Sequence, residues 1–295
     1  MIVRVLGSAA GGGVPQWTCA CPNCAAARAG LQPRRSSSSF AFSADGLRWW
    51  LVNVSPDIAQ QIEAYAPLAP SVGRGTPIAG MLLTDANVDH AGGLGVLRQQ
   101  GDHRFEIYSS ATVRDILTQQ PAFATFASAP HVWSVSEPGT TFTLDGALSV
   151  RVVELPGLTP GYAGRRALGD AVAGYFVTDT KTGGSALFAP VFLACSDALL
   201  AAAREATVAF FDGSFWSDDE LDGVGVEKSA PALGHAPISG ERGSLVRLAS
   251  LPPRAGRYYA HLNNTNPVLD PVSSAAREIG AAQIALAYDG LQIEL

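Results

Sequence analysis

The segment "TDANVDH", residues 84–90, places Asp85, Asn87, Asp89 and His90 directly after the apolar run "IAGMLL". Carboxylate and imidazole donors are the groups that hold a divalent transition metal, and a loop at the end of a buried strand is where α/β proteins place ligands and catalysts. Two later stretches repeat the arrangement. "VAFFDGSFW" sets Asp212 after an apolar strand, and "RYYAHLNNTNP" sets His261 at the end of another. Taken singly, an aspartate or histidine after a buried strand is more often a cap or turn residue. Three such strand ends in one chain point instead to a shared site. Asp89, His90, Asp212 and His261 together offer two imidazoles and two carboxylates, a set suited to iron, manganese or zinc.

A second cluster lies near the N-terminus. In "WTCACPNC" the thiols of Cys19, Cys21 and Cys24 are spaced so that one turn of chain can point all three inward. Zinc takes four ligands in a tetrahedron, so this loop, at about residues 17–24, supplies three and needs a fourth from Cys195 or one of the five histidines. Such a closed site is structural and pins a loop that has no apolar core of its own. Cys195, which stands alone, reads as a small buried hydrophobe.

The elements that must position these groups follow from the hydrophobic pattern. Strands are predicted at Ile2–Leu6, in a hairpin of "SSSSFAFSA" and "LRWWLVNVS" turning at 44–46, and at "IAGMLLT", "RFEIYSS", "TFTLDGALSVRVVEL", "VAGYFVTD", "ALFAPVF" and "VAFFDGS". Helices are predicted after Ser55 and at "HAGGLGVLRQQ", "TVRDILTQ", "SDALLAAARE", "SGERGSLVRLAS" and "SSAAREIG". Two cycles of strands followed by helices imply sheets packed face to face with helices outside, a four-layer αββα sandwich of the α/β (α+β) class, formed by residues 1–295 as one domain. Hydrophobic residues make up 47% and charged residues 16%, which suits a packed enzyme and argues against disorder. A net charge of −6 provides no basic field for nucleic acid. No apolar stretch is long enough to span a bilayer, and the first residues lack the pattern of a signal peptide, so the expectation is a cytoplasmic protein without nucleic-acid or membrane partners.

"TDANVDH" resembles the H-x-H-x-D-H loop of the metallo-β-lactamase superfamily. Asp85 and Asn87 stand at its first two histidine positions, while Asp89 and His90 match the last two. The later G-H-T-P-G histidine is replaced by Leu158 in "PGLTPG". The resemblance implies that the three departures remove one metal of a binuclear pair and leave the other's ligands, Asp89, His90, Asp212 and His261. "GGGVPQWTCACPNC", "SPDIAQQI", "DGSFW", "GHAPIS" and "HLNNTNP" are similar, nearly end to end, to the protein B family of pyrroloquinoline quinone (PQQ) biosynthesis.

That resemblance implies an active-site Fe(II) with O2 as co-substrate, and hydroxylation of the tyrosine-derived ring of a cross-linked glutamate–tyrosine intermediate. Asp85 and Asn87 would hydrogen-bond water, O2-derived oxygen or the phenol beside the metal. A related phosphodiesterase of the carbon–phosphorus lyase pathway carries a similar three-cysteine loop completed by a histidine. By that similarity His235 is the expected fourth ligand of a structural zinc. Arg165, Arg166 and Lys228 are the candidates for binding substrate carboxylates, and Asn263, Asn264 and Asn266, directly after His261, either orient the substrate or satisfy a tight turn. The partners expected are the small-molecule intermediate, a second copy of the chain as a homodimer, and other PQQ-biosynthesis proteins. The rival functions are a metal-dependent hydrolase of the phosphodiesterase kind and a carrier of the finished quinone.

Overall fold

The computed structural model describes residues 1–99, 103–252 and 256–295. Its strands are β1 (Ile2–Gly7), β2 (Ser39–Ser43), β3 (Trp49–Val52), β4 (Ile78–Leu82), β5 (Glu106–Ser109), β6 (Val132–Val135), β7 (Thr141–Leu144), β8 (Leu148–Leu155), β9 (Val172–Asp179), β10 (Ser185–Ala189), β11 (Val208–Asp212), β12 (Arg257–Ala260), β13 (Ala285–Leu286) and β14 (Gln292–Glu294). One sheet runs β14-β1-β2-β3-β4-β5-β6 and the other β13-β12-β11-β10-β9-β8-β7. Each is antiparallel in one part and parallel in the other, with β3 to β6 parallel in the first and β10 to β13 parallel in the second.

The period of two along each strand divides the apolar side chains between layers. Val3, Val5, Phe40, Phe42, Trp50 and Val52 face Val150, Tyr175, Phe188 and Phe210 of the second sheet and form the inner core. Their neighbours Ala41, Trp49, Leu51 and Met81 face outward under Ile58, Val113 and Leu117. On the opposite side Leu187, Ala189 and Phe211 lie beneath Leu199, Leu248 and Ile279 of helices Asp197–Glu205, Ser244–Ala249 and Ser274–Ala281. Sheets covered on both faces give strands that read as unbroken apolar runs. The αββα sandwich expected from the sequence is the fold observed.

Local chemistry sets the helix ends. Ser110, Ser196 and Ser273 each accept a hydrogen bond from the backbone N–H three residues on, which satisfies a donor that the first turn leaves unpaired. The predicted helix over "HAGGLGVLRQQ" is broken into Val88–Ala91 and Leu94–Leu97, and its last residue lies outside the described residues. Gly93 is the reason. A Cβ there would sit 2.1 Å from the Ser55 carbonyl oxygen, because the backbone after His90 packs directly on Val54, with Val54 N donating to His90 O at 2.6 Å and Gly93 N to Val54 O at 3.0 Å. That close approach anchors His90 to the end of β3.

Candidate active site and metal centres

β4, β11 and β12 end on the same rim of the sandwich, and the chain leaving each one carries a donor. After β4, Asn53 (φ +63°) fixes Thr84 through two hydrogen bonds of 2.9 Å. The Thr84 hydroxyl then donates to Asp85 Oδ2 at 2.8 Å. Asp85 is fully buried, and protein donors engage both of its oxygens. Oδ1 accepts from Asn87 N at 2.9 Å and Asn87 Nδ2 at 2.8 Å, while Oδ2 lies 2.6 Å from His90 Nδ1. A carboxylate can only accept, so the His90 proton sits on Nδ1 and the Nε2 lone pair faces away from Asp85. This corrects the expectation for Asp85 and Asn87. Asp85 orients His90, and Asn87 holds Asp85, instead of both reaching towards a substrate.

His90 Nε2 is buried with no hydrogen-bond partner among the described residues. It is aimed at the space shared with Asp89 Oδ2, 3.9 Å away, and that oxygen lies 3.1 Å from His261 Nε2. His261 follows β12 in the left-handed region at φ +55°, a conformation costly for a non-glycine residue and typical of functional turns. Its Nδ1 lies 2.7 Å from Ser214 Oγ, which is 2.6 Å from Asp212 Oδ1 at the end of β11. Gly11, on the loop after β1, closes the far side of Asp89, where a Cβ would meet Oδ2 at 3.2 Å.

His235 belongs to this pocket. Gly234, left-handed at φ +100°, ends helix Ala230–Leu233 and turns His235 inward. His235 Nδ1 then lies 2.8 Å from Asp212 Oδ2, and its ring stacks on His261 with centroids 5.2 Å apart. Two donor triads result, Asp89–His90–His261 and Asp212–His235–His261, sharing His261. The expected role of His235 as the fourth ligand of the cysteine loop is therefore wrong. Its Nδ1 is held by Asp212, and among the described residues it groups with the rim ligands and not with the thiols. The glycine directly before it is the one sequence signal for this turn. Ser214, which joins Asp212 to both histidines, was also missed, although it stands in "DGSFW".

The electrostatics fit a cation. With only the side chains' own charges acting, burial disfavours charged His90, but Asp85 and Asp89 outweigh it and push the imidazole up to about 9. Burial also opposes ionisation of Asp89 and Asp212, yet His90 and His235 respectively hold these carboxyls below their usual range. Burial depresses His261. The ionised Asp89 carboxylate, the buried Nε2 of His90 and Nε2 of His261 converge where a metal would satisfy them, whereas Asp212 Oδ1 already accepts from Ser214 and Oδ2 from Phe192 N beside His235 Nδ1.

In the cysteine loop the three Sγ atoms lie within 4.8 Å of one another. Gln16 N donates to Cys24 Sγ at 3.3 Å and Cys21 N to Cys19 Sγ at 3.4 Å, which fixes how the loop presents these sulfurs. Zinc ligated by thiolates sets sulfurs about 3.8 Å apart in a tetrahedron, so the cluster fits the ion. Cys195 packs in the core beneath the second sheet's helices and does not join the loop.

A family model described as "Beta-lactamase superfamily domain" matches residues 48–255. Coenzyme PQQ synthesis protein B of Ruegeria pomeroyi is 37% identical over 302 residues, covering 100% of both chains. That of Rhizobium meliloti is 38% identical, over 99% of this chain and 97% of the relative. The chain belongs to the coenzyme PQQ synthesis protein B family. The crystal structure of Zn2+-bound PqqB from Methylobacterium extorquens superposes with a TM-score of 0.93 at 34% identity over 100% of both chains. A diphosphatase of the PhnP family shares the fold, with a TM-score of 0.71 at 21% identity over 100% of this chain and 96% of that one.

Around this site, the expected substrate contacts separate. Arg165 is exposed and its guanidinium donates to Ala232 O at 3.0 Å, tying loop 158–167 to the helix that precedes His235. Arg166, next to it, is also exposed. In the same loop the Tyr162 hydroxyl donates to Ala86 O, so this segment braces the metal-binding loop of β4. Leu158, at the lost histidine position, brings no donor and lies against Gly234. Lys228 instead lines a surface hollow with Asp218, Asp219 and Asp222, and Asn263 donates to the Thr265 hydroxyl beside the cysteine loop. No helix among the described residues is long and apolar enough to cross a membrane.

Proposed function

We propose that this chain serves PQQ biosynthesis as a non-haem Fe(II)- and O2-dependent hydroxylase of the tyrosine-derived ring in a cross-linked glutamate–tyrosine intermediate. The observation that carries the reading is the commitment of Asp85 to His90, together with the apolar Leu158, since positions 85 and 158 then offer no free donor to a first hydrolytic metal. His90, His261 and Asp89, one of the two donor triads on this rim, form the two-histidine, one-carboxylate set of facial-triad oxygenases. Iron, if held by His90, His261, Asp89 and Asp212, would supply the redox chemistry for activating O2. Inserting one oxygen atom into a ring C–H bond, with the other leaving as water, consumes two electrons and two protons from a reductant.

The chain's own groups prepare this reaction. Asp85 keeps the His90 proton on Nδ1. Ser214 holds His261 and His235 in register with Asp212. His235, with Nδ1 engaged by Asp212, has Nε2 left to hold or move a proton at the phenol. Arg165, exposed on loop 158–167, offers a guanidinium to the substrate carboxylates. Anaerobic reconstitution with iron, followed by exposure to the amino-acid intermediate and O2, tests the reading. O2 uptake with a hydroxylated product is expected, and neither appearing in iron-loaded protein would refute it.

One observation favours a second reading. The triad Asp212–His235–His261 beside Asp89–His90–His261 gives enough donors for two ions bridged through shared ligands, as a hydrolase would use. Two active-site metals per chain and turnover of a chromogenic phosphodiester would select it.

A further inference from the structure

We propose that Asn264 supplies the fourth ligand to zinc in the Cys19–Cys21–Cys24 loop, through its side-chain amide oxygen, and so fastens this loop to the turn that carries His261. The amide end of Asn264 lies 3.5 Å from Cys21 Sγ, on a side chain that is 7% exposed. A tetrahedral zinc with one oxygen and one sulfur ligand separates those two atoms by about 3.6 Å. The amide therefore already stands at ligand distance. Rotating it by half a turn exchanges Nδ2 for Oδ1 without moving the rest of the residue.

The backbone carbonyl of Asn264, 3.4 Å from the same sulfur, is the weaker choice because it accepts a hydrogen bond from Asn23 Nδ2 at 3.0 Å. The rest of the turn is braced for this geometry. Asn23 Nδ2 also donates to Asn266 O at 3.0 Å, and Asn266 Nδ2 donates to Gly213 O at 2.9 Å, beside Asp212. Asn263 N donates to Ser214 O at 3.1 Å. A zinc ion gripping Asn264 would thus be joined through short, buried links to the two strand ends that present Asp212 and His261. This reasoning does not depend on which reaction the rim site performs.

The test uses the full chain with iron in the rim site, so that the zinc absorption edge reports the cysteine loop alone. Three sulfurs and one oxygen or nitrogen are expected around zinc, and four sulfurs would overturn the proposal. Asn264→Ala should lower zinc affinity, measured against a chromogenic chelator, by at least about tenfold and alter the visible spectrum of the cobalt-substituted protein. Asn264→Asp keeps an oxygen at the same reach. It should retain zinc and a tetrahedral cobalt spectrum, which keeps the proposal decidable if Asn264→Ala fails to fold. Unchanged affinity and spectrum in Asn264→Ala, or loss of zinc in Asn264→Asp, would refute it. Cys195→Ser should leave both readouts unchanged, and a lost sulfur in that variant would equally refute it.

Discussion

Replacing Asp85 by asparagine tests whether this residue acts on the metal through His90. The carboxylate accepts from His90 Nδ1 at 2.6 Å, Thr84 Oγ1 at 2.8 Å, Asn87 Nδ2 at 2.8 Å and Asn87 N at 2.9 Å, all in a fully buried position. An amide has one oxygen, so it can serve only one side of this arrangement. With that oxygen towards His90, the NH2 group meets the two donors of Asn87. With it towards Asn87, the NH2 group faces His90 Nδ1 and drives the ring proton to Nε2, the atom a metal needs. Either way buried donors go unmet, at roughly 1–3 kcal/mol each, so stability should fall by about 2–4 kcal/mol. Loss of the group that orients a ligand typically weakens metal affinity by about 10–100-fold, or ~1.4–2.7 kcal/mol. Competitive titration of Fe(II) or Zn2+ against a chelator, on protein confirmed folded by circular dichroism, measures the second effect. Asn87→Ala is the control. It removes one hydrogen bond while Asn87 N still holds Asp85, and should change metal affinity by less than about threefold. A folded Asp85→Asn protein with unaltered affinity would refute the assignment of Asp85 as a positioning residue.

Gly11→Ala should disturb Asp89 directly, because the new Cβ would press on its carboxylate at 3.2–3.3 Å; a loss of about tenfold in rim-metal affinity, with little change in zinc content, is the expected titration result. His235→Gln should leave iron bound while lowering kcat by about 10²-fold, since the proton-carrying group is removed but His90, His261 and Asp89 remain; stopped-flow O2 consumption with iron quantified in the same sample checks this. Glu220 gives a pH dependence of stability. Burial pushes its carboxyl up to about 7, against hydrogen bonds from Thr265 and Trp216 N that favour the ionised form. The folded value lies above the usual 4.5, so the unfolded chain loses this proton first; stability falls as pH rises from about 4.5 to about 7 and then levels, by up to ~3 kcal/mol. Urea melts at about pH 5 and pH 8 should show that loss in the native chain and not in Glu220→Gln.

The strands that carry the rim ligands were legible because a sheet covered on both faces leaves long apolar runs, and "IAGML", "VAFF" and "RYYA" are such runs, with Asp212 and His261 directly after the last two and Thr84 and Asp85 one residue beyond the first. Helix Pro22–Arg28 and strand Val132–Val135 were not read. The first is a short element hidden within the cysteine loop, with Cys21 at its start, and the second is an edge strand with exposed residues at both ends. The broken helix after His90 reflects the contact with Val54, a packing constraint between distant segments that a glycine pair signals only as weakness.

The error over His235 has a different physical origin. "GHAPIS" contains nothing local that says which of two metal clusters its imidazole faces; that is decided by a pair 23 residues apart, Asp212 with His235, which forms only once β11 is in place. The turn "HLNNTN" divides its side chains in the opposite sense. His261, held left-handed at φ +55°, presents its ring to Asp89 and Ser214, while Asn264, three residues on, presents its amide to Cys21. One turn thus serves both metal clusters, so disorder in the cysteine loop would pass to His261 through its own backbone. Stripping zinc from that loop with a chelator should accordingly weaken iron binding at the rim, although no rim ligand is touched. Iron affinity that stays constant across zinc-loaded and zinc-free protein would show that the hydrogen bonds of Asn23 and Asn266 hold the turn without the ion.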